Sequence, residues 1–433
     1  MVKKWLEIMR SSLFLKNSFV LFLGVMATNF FNYIFHFAIG RMVTPSVYGE
    51  MEMIVSLLAI VSVPGSAIAL IASRYAANAK AKNDPGLSKE IFHWLNGKII
   101  RYGLPVFAIS LLSTPWVASF LKVEHEIAII FLWAMMFLSF FSSVSIGILS
   151  GWQSFSWVGI INSVGSFFKL ILGVFFVWMG FAVNGIIGSF LLSSLIGYIC
   201  TLWVFQKIQK NNKEQHKEKE SFSAKELTSI KPYAIRVFFA SLALALLGNI
   251  DMISAKYHLD SNVVGTYGAL FIVSRIIFFV SGILISVMFS MSSEEHDKKA
   301  LGINKGQSKI FFHTAFLIGI FCTGSLIFFF LFPEFVMKVF FGNTYIHAAN
   351  YLIWFGVVAA LYTFVNLFIQ YFLSIKETRV VRWLLFISLL EIPCIFFFGY
   401  DILSIVMISG FAQVLVIGVA LIFFLRGKNF LKR

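Results

Sequence analysis

Two cations, Lys169 and Arg275, lie well inside long apolar stretches. An ionised side chain at bilayer depth costs about 2.5 to 3.5 kcal/mol on insertion scales, and such a group faces a cavity or a partner. Lys169 falls about 14 residues into its stretch and Arg275 about 12 into its own, each roughly 20 Å deep at helical rise. That is too deep for easy snorkelling. A diphosphate suits such cations, because guanidinium binds phosphate oxygens bidentately and ammonium acts as a point charge. The alternative for either residue is a structural ion pair. Arg74 and Arg236 sit near the ends of apolar stretches, where a headgroup would first be met or where a long side chain anchors a helix. Arg41 and Lys256 occupy matching turns and read as exposed loop cations, with gating as the alternative.

Four carboxylates accompany them. Asp251 and Glu391 lie inside stretches, and Glu391 stands two residues before a helix-distorting Pro393. Each is a candidate for ion coupling, carrying a proton or ligating Na⁺ with amides such as Asn249. The alternatives are an ion pair of Asp251 with Arg275 or Lys256, and a hinge at Glu391. Glu50 and Glu52 open a stretch and read as interfacial. Asn29, Asn32 and His36 share one helical face, as do Tyr362, Asn366 and Gln370. These stripes either face a sugar or make interhelical hydrogen bonds of about 0.6 kcal/mol each. No catalytic constellation and no metal-ligand spacing is present, and Cys200, Cys322 and Cys394 read as small packing residues. No cofactor is expected beyond a coupling H⁺ or Na⁺.

Helices in a membrane must position these groups. Hydrophobic residues make up 59% of the 433 and charged residues 13%, with a mean hydropathy of +0.86. Soluble chains carry roughly a quarter charged residues, so lipid is the solvent here. A span needs about 20 apolar residues, and roughly twelve stretches qualify, running from 18–40 to 402–425. They include 47–72, 99–121, 232–256 and 263–291. The first is too long for a signal peptide's apolar region and lacks a small-residue cleavage pattern, so it reads as a retained helix.

Most of the 35 Lys and Arg fall in alternate gaps. Lys3, Lys4, Arg10 and Lys16 precede the first stretch, Lys80, Lys82, Lys89 and Lys98 follow the second, and a dense run from Lys207 to Lys231 follows the sixth. The intervening gaps hold little more than Arg41, Lys122, Lys256 and Lys338. The positive-inside rule then places both termini in the cytoplasm. The net charge of +15 is thereby explained by anionic lipid headgroups, and nucleic acid is not expected as a partner.

The run KIQKNNKEQHKEKE divides the stretches six and six and reads as a flexible linker. The expected organisation is a first lobe over 1–206, a linker over 207–231, a second lobe over 232–425 and a tail over 426–433. GRMVTPSVYGEMEM after the first stretch aligns weakly with AKYHLDSNVVGTYGAL after the seventh, so that Gly49 falls on Gly265. An even number of spans per half makes the repeat parallel. The expected fold is an all-α integral membrane protein of about 12 helices, in two parallel six-helix lobes around a central cavity.

The chain resembles the Wzx-type polysaccharide flippases, in the superfamily that also holds lipid II flippases and multidrug and toxin extruders. The resemblance rests on GRMVTPSVYGE, on ASRYAANAKAKND at the end of the second stretch, on GILSGWQSF closing the fourth, and on NIDMISAKYHLDSNVVGTYG across the seventh and eighth. It implies a non-enzymatic transporter of the bacterial cell membrane that moves undecaprenyl-diphosphate-linked oligosaccharide to the outer leaflet by alternating access. Its partners would be the lipid-linked sugar diphosphate, membrane lipids and polysaccharide polymerase or assembly proteins. Arg275, Lys169, Arg74, Asn29, Asn32, His36, Asn366 and Gln370 are then the candidate substrate contacts. An ion-coupled drug extruder and a lipid II flippase are the alternatives. Short outer gaps leave no room for the catalytic loop of a glycosyltransferase or polymerase.

Overall fold

The computed structural model describes residues 13–82, 84–211, 224–300 and 307–430. All regular structure among them is helical. This follows from the apolar runs, since without water only a helix satisfies its own backbone groups. In chain order the helices are α1 (Leu13–Met42), α2 (Pro45–Val61), α3 (Pro64–Ala81) and α4 (Pro85–Lys98), then α5 (Leu104–Leu112) after one π-helical turn at Ile99–Gly103. There follow α6 (Thr114–Phe120), α7 (Glu126–Gly151), α8 (Phe155–Trp178), α9 (Ala182–Asn211), α10 (Ala224–Leu247), α11 (Ile250–His258) and α12 (Ser261–Ser274). The last are α13 (Ile276–Ala300), α14 (Gln307–Leu331), α15 (Pro333–Phe341), a 3₁₀ turn at Asn343–Tyr351, α16 (Leu352–Ser374), α17 (Val380–Phe398) and α18 (Ile402–Phe430).

Among the described residues, nine helical segments are long and apolar enough to cross a membrane, or eleven with two bent pairs. The 30-residue α1 stands outside that count. The pairs revise the expected spans. The stretch 47–72 is α2 and α3, bent by 45° at a break before Pro64, and 99–121 is the later part of Gly86–Leu112 joined to α6 at 54°. The expected linker is shorter than its composition suggests, because α9 runs to Asn211 and α10 starts at Ala224. Its centre, 212–223, lies outside the described residues, as does the tail beyond 430.

The chain forms two compact units, and the division is not the simple halving expected from the sequence. One unit comprises Met1–Met42 and Val61–Phe238, the other Val43–Ile60 and Phe239–Arg433. Helix α2 thus packs in the second unit, although its neighbours α1 and α3 belong to the first.

In the first unit, α1 crosses α8 where Gly24 lies against Gly159, and one turn on the Thr28 and Ser163 hydroxyls are 3.3 Å apart. Helix α7 lies against α3 through Gly147 and Gly151, where a Cβ would collide with the Ala69 and Ser73 carbonyls. Lys80 then closes the end of α7, donating to the Trp152 carbonyl and to Gln153 Oε1, both at 2.9 Å. A cation beside a helix C-terminus is favourable. Two of the quoted motifs, ASRYAANAKAKND and GILSGWQSF, are therefore the two sides of one helix contact.

In the second unit, α2 meets α12 at the pair of glycines that the repeat aligns. A Cβ on Gly265 would strike the Pro45 carbonyl, and one on Gly49 would lie 2.6 Å from the Gly265 nitrogen. Tyr48, Phe341 and Tyr345 form an edge-on aromatic group beside this contact. Here the sequence reading of three charges is corrected. Lys256 is 3% exposed and Glu50 4%, not loop or interfacial groups, and Lys256 Nζ lies 3.8 Å from Glu50 Oε2. Glu52 is 1% exposed. Hydropathy placed them at a membrane edge, whereas helix contact removes them from any solvent.

Candidate functional site

Polar groups gather at two places, one in each unit. In the first unit Lys169 projects from α8 towards α1. Its ammonium donates to Asn32 Oδ1 at 2.6 Å and lies over the rings of Phe35 at 4.6 Å and Phe190 at 4.5 Å. The spacing Gly24, Thr28, Asn32 on α1 faces Gly159, Ser163 and Lys169 on α8, so one helical stripe supplies both the close approach and the partner. An amide oxygen and two ring faces hold an ammonium by partial charges. His36 is 9% exposed and stands edge-on to Phe35, while Asn29 is half-buried on the same helix.

In the second unit the expected span 232–256 is discontinuous. Helix α10 ends at Leu247 and α11 begins at Ile250, leaving Gly248 and Asn249 between them. The final carbonyls of α10 are taken up by side chains. Tyr362 Oη donates to Leu244 O at 2.9 Å, Asn249 Nδ2 to Ala245 O at 2.8 Å, and the Arg275 guanidinium to Gly248 O. Arg275 also reaches Asn249 Oδ1 at 3.3 Å and stacks on Phe271 at 3.8 Å. A helix C-terminus carries partial negative charge, so a cation is well placed there. Arg275 is itself the single residue between α12 and α13, so it ties one helix break to another. A Cβ at Gly248 would come within 2.8 Å of Tyr362 Oη, which accounts for the glycine.

Asp251 opens α11 and accepts from Tyr267 Oη at 2.9 Å. It pairs with neither Arg275, which goes to the Gly248 carbonyl, nor Lys256, which goes to Glu50. Glu391 continues α17 through Pro393 and accepts from Ser409 Oγ at 2.6 Å. Asp251, Arg275, Tyr362 and Gln413 line one cavity of about 30 Å³, room for one or two water-sized occupants. Asp251 Oδ1, Glu391 Oε2 and Gln413 Oε1 are buried without a hydrogen-bond partner among the described residues. Asp251 and Gln413 both line the cavity, and such orphaned oxygens fit a hard cation or a proton. Among the described residues no three His, Cys, Asp or Glu side chains converge as a metal cluster.

Sequence reasoning did not single out Tyr267, Ser409 or Gln413. The signal for the last two was present, since Ser409 and Gln413 are four residues apart in the apolar run of α18. Of the other expected contacts, Asn366 and Gln370 are half-buried and bonded to each other at 3.4 Å, and Arg74 and Arg236 are exposed.

Residues 14–296, well over half of the chain, match the family described as Polysaccharide biosynthesis protein. The chain belongs to that family. Its fold is that of solved MATE transporters. An inward-facing multidrug resistance MATE family transporter of the MOP superfamily has a TM-score of 0.72 at 16% identity, over 96% of this chain and 99% of the other. An outward-facing one has a TM-score of 0.64 at 17% identity, over 95% and 93%. A MATE in its bent conformation has 0.64 at 18% identity, over 96% of each chain. No curated protein sequence matches the chain. Family and fold together describe a multi-pass membrane protein of the polysaccharide biosynthesis family with the fold of MATE transporters.

Proposed function

We propose that this member of the polysaccharide biosynthesis family carries undecaprenyl-diphosphate-linked oligosaccharide from the cytoplasmic to the outer leaflet of a bacterial cell membrane. The observation that carries this reading is the family match over residues 14–296. Lys169 supports it as the diphosphate contact, held by Asn32, Phe35 and Phe190 at a depth that the prenyl-linked headgroup must pass. Arg74, exposed at the charged end of α3, meets the headgroup first from the cytoplasm, where both chain ends lie by the charge alternation. Asn29, His36, Asn366 and Gln370 are the polar groups offered to sugar hydroxyls.

Two sources of drive act together. Two negative charges leaving a cytoplasm held at about −100 mV gain roughly 5 kcal/mol. Asp251 and Glu391 hold a coupling Na⁺ or H⁺, which when bound neutralises a carboxylate that would otherwise be charged in a low dielectric. Tyr267 and Ser409 fix the carboxylates in place by one hydrogen bond each.

The test is export in a host lacking its own flippase, at matched protein level. Lys169→Met is expected to lower surface polysaccharide at least about tenfold, the loss of one charge-assisted phosphate contact of 1.5 to 3 kcal/mol, and Lys169→Arg to retain part of it. Unchanged export by Lys169→Met would remove the assigned contact. Drug resistance on overexpression without polysaccharide export would favour an extruder, and rescue of peptidoglycan export a lipid II flippase.

A further inference from the structure

Asp251 and Arg275 line one cavity of about 30 Å³ and do not bond to each other across it. The guanidinium is engaged by the Gly248 carbonyl and Asn249 Oδ1, and the carboxylate accepts from Tyr267 through Oδ2. The hydroxyls in the cavity wall are engaged as well. Tyr362 Oη donates to Leu244 O and Ser274 Oγ to Phe271 O, at 2.9 Å each. Two acceptors of the same wall, Asp251 Oδ1 and Gln413 Oε1, are buried without a hydrogen-bond partner among the described residues. A buried acceptor left unmet is costly. One carboxylate and one guanidinium already balance, and an added charge in a buried place would be strongly unfavourable. The cavity therefore calls for a neutral molecule with two donors. A space of this size takes a water, and a buried water typically makes about three hydrogen bonds to polar groups that lack other partners.

We propose that an ordered water sits between Asp251 and Gln413, donates one hydrogen bond to each, and accepts one from the Arg275 guanidinium. It satisfies Gln413 with either orientation of the amide, since water donates and accepts alike. The water joins α11, α18 and the single residue between α12 and α13, beside the break between α10 and α11. It carries the attraction between two charges that do not meet directly. Arg275 can thereby hold the end of α10 and still balance Asp251 at the start of α11. The inference does not depend on the coupling role proposed above for Asp251.

Radiolytic labelling of the purified full-length protein, in lipid nanodiscs and sodium-free buffer, tests it. A hydroxyl radical made by X-rays from a held water adds to the ring beside it, and the oxygen left there reports which water supplied it. Phe271 and Phe355 are buried and line the cavity, whereas Phe341 is buried elsewhere in the same unit. Shortly after mixing into H₂¹⁸O, Phe271 and Phe355 should still gain ¹⁶O, and Phe341 should gain neither isotope. Gln413→Leu removes one acceptor and should speed the replacement of ¹⁶O by ¹⁸O at both rings roughly two- to tenfold, the worth of one net hydrogen bond. Ala359→Leu puts a larger side chain into the cavity wall and should abolish the label. Should Ala359→Leu fail to fold, wild type and Gln413→Leu decide the matter. No label on Phe271 and Phe355 in wild type overturns the proposal, as does unchanged exchange in folded Gln413→Leu. Loss of the label on adding NaCl would put a cation where the charge balance calls for none; it would overturn the water and leave the coupling reading standing.

Discussion

Glu50 and Lys256 bring opposite charges into a contact from which lipid and water are both excluded. At 3.8 Å between Nζ and Oε2 the pair is long, and its members are 5% and 3% exposed. Desolvation offsets much of the attraction in such a pair, but removing one member leaves the other charged and buried. Glu50→Gln is therefore expected to destabilise the second unit by about 3 kcal/mol, while Glu50→Gln with Lys256→Met should recover most of that loss. Melting of the four proteins in one lipid tests this as a double-mutant cycle. Strict additivity would mean that the charges do not interact. At this scale the sequence was informative about residue type and silent about partner. It marked Asp251, Glu391, Lys169 and Arg275 as costly to bury, but the partners that meet them, the donors Tyr267 and Ser409 and the acceptors Asn32 Oδ1 and the Gly248 carbonyl, come from other helices or across a break.

Elements were legible where hydropathy runs unbroken and hidden where it does not. The expected stretch 402–425 coincides with the crossing segment Ile402–Arg426 of α18, since it is one long apolar helix. The break at Gly248–Asn249 and the joint at Arg275 were invisible, because a window of about 20 residues averages over one or two non-helical positions. Helix starts are clearer. Asp401 precedes α18, where Ser404 N donates to Asp401 Oδ1 at 2.8 Å and Asp401 N donates back to Ser404 Oγ at 3.0 Å. These bonds to Ser404 hold the Asp401 carboxyl below its ordinary value of 3.8. Glu377 is likewise held low, first by the hydrogen bonds from the Arg379 guanidinium. A carboxyl depressed on folding contributes stability that is complete above its unfolded value and lost as pH falls through the folded one. Asp401→Ala should therefore lower stability by about 1 kcal/mol at neutral pH. The difference from wild type should stay flat above about pH 5 and shrink below pH 4. A difference that grows on acidification would contradict the cap.

For the whole molecule the sequence predicts a direction as well as a fold. Its repeat aligned Gly49 with Gly265, and the structure places those two glycines against each other, a contact that a larger residue on either side would force apart. The membership of α2 in the second unit was not legible, because a single chain order does not reveal which half a helix packs with. Exposed aromatic residues agree with two interfaces. Lys98 lies over Trp94 and Tyr102, and Lys207 over Trp157 and Trp203, in the cation-rich gaps. Trp116, Trp178 and Tyr400 are 74%, 78% and 72% exposed at the cation-poor ones. Rings of this kind settle at headgroup level on both faces of a bilayer, while Lys and Arg distinguish the cytoplasmic face. The orientation this predicts can be read by chemistry. Cys200, Cys322 and Cys394 are free thiols and would first be replaced by serine or alanine. A membrane-impermeant maleimide applied to intact cells should then label Arg41→Cys, exposed at the end of α1, and spare Lys89→Cys, exposed on α4. Both should label after lysis. The opposite pattern would invert the molecule in its membrane and remove Arg74 from the cytoplasmic side on which its proposed headgroup contact depends.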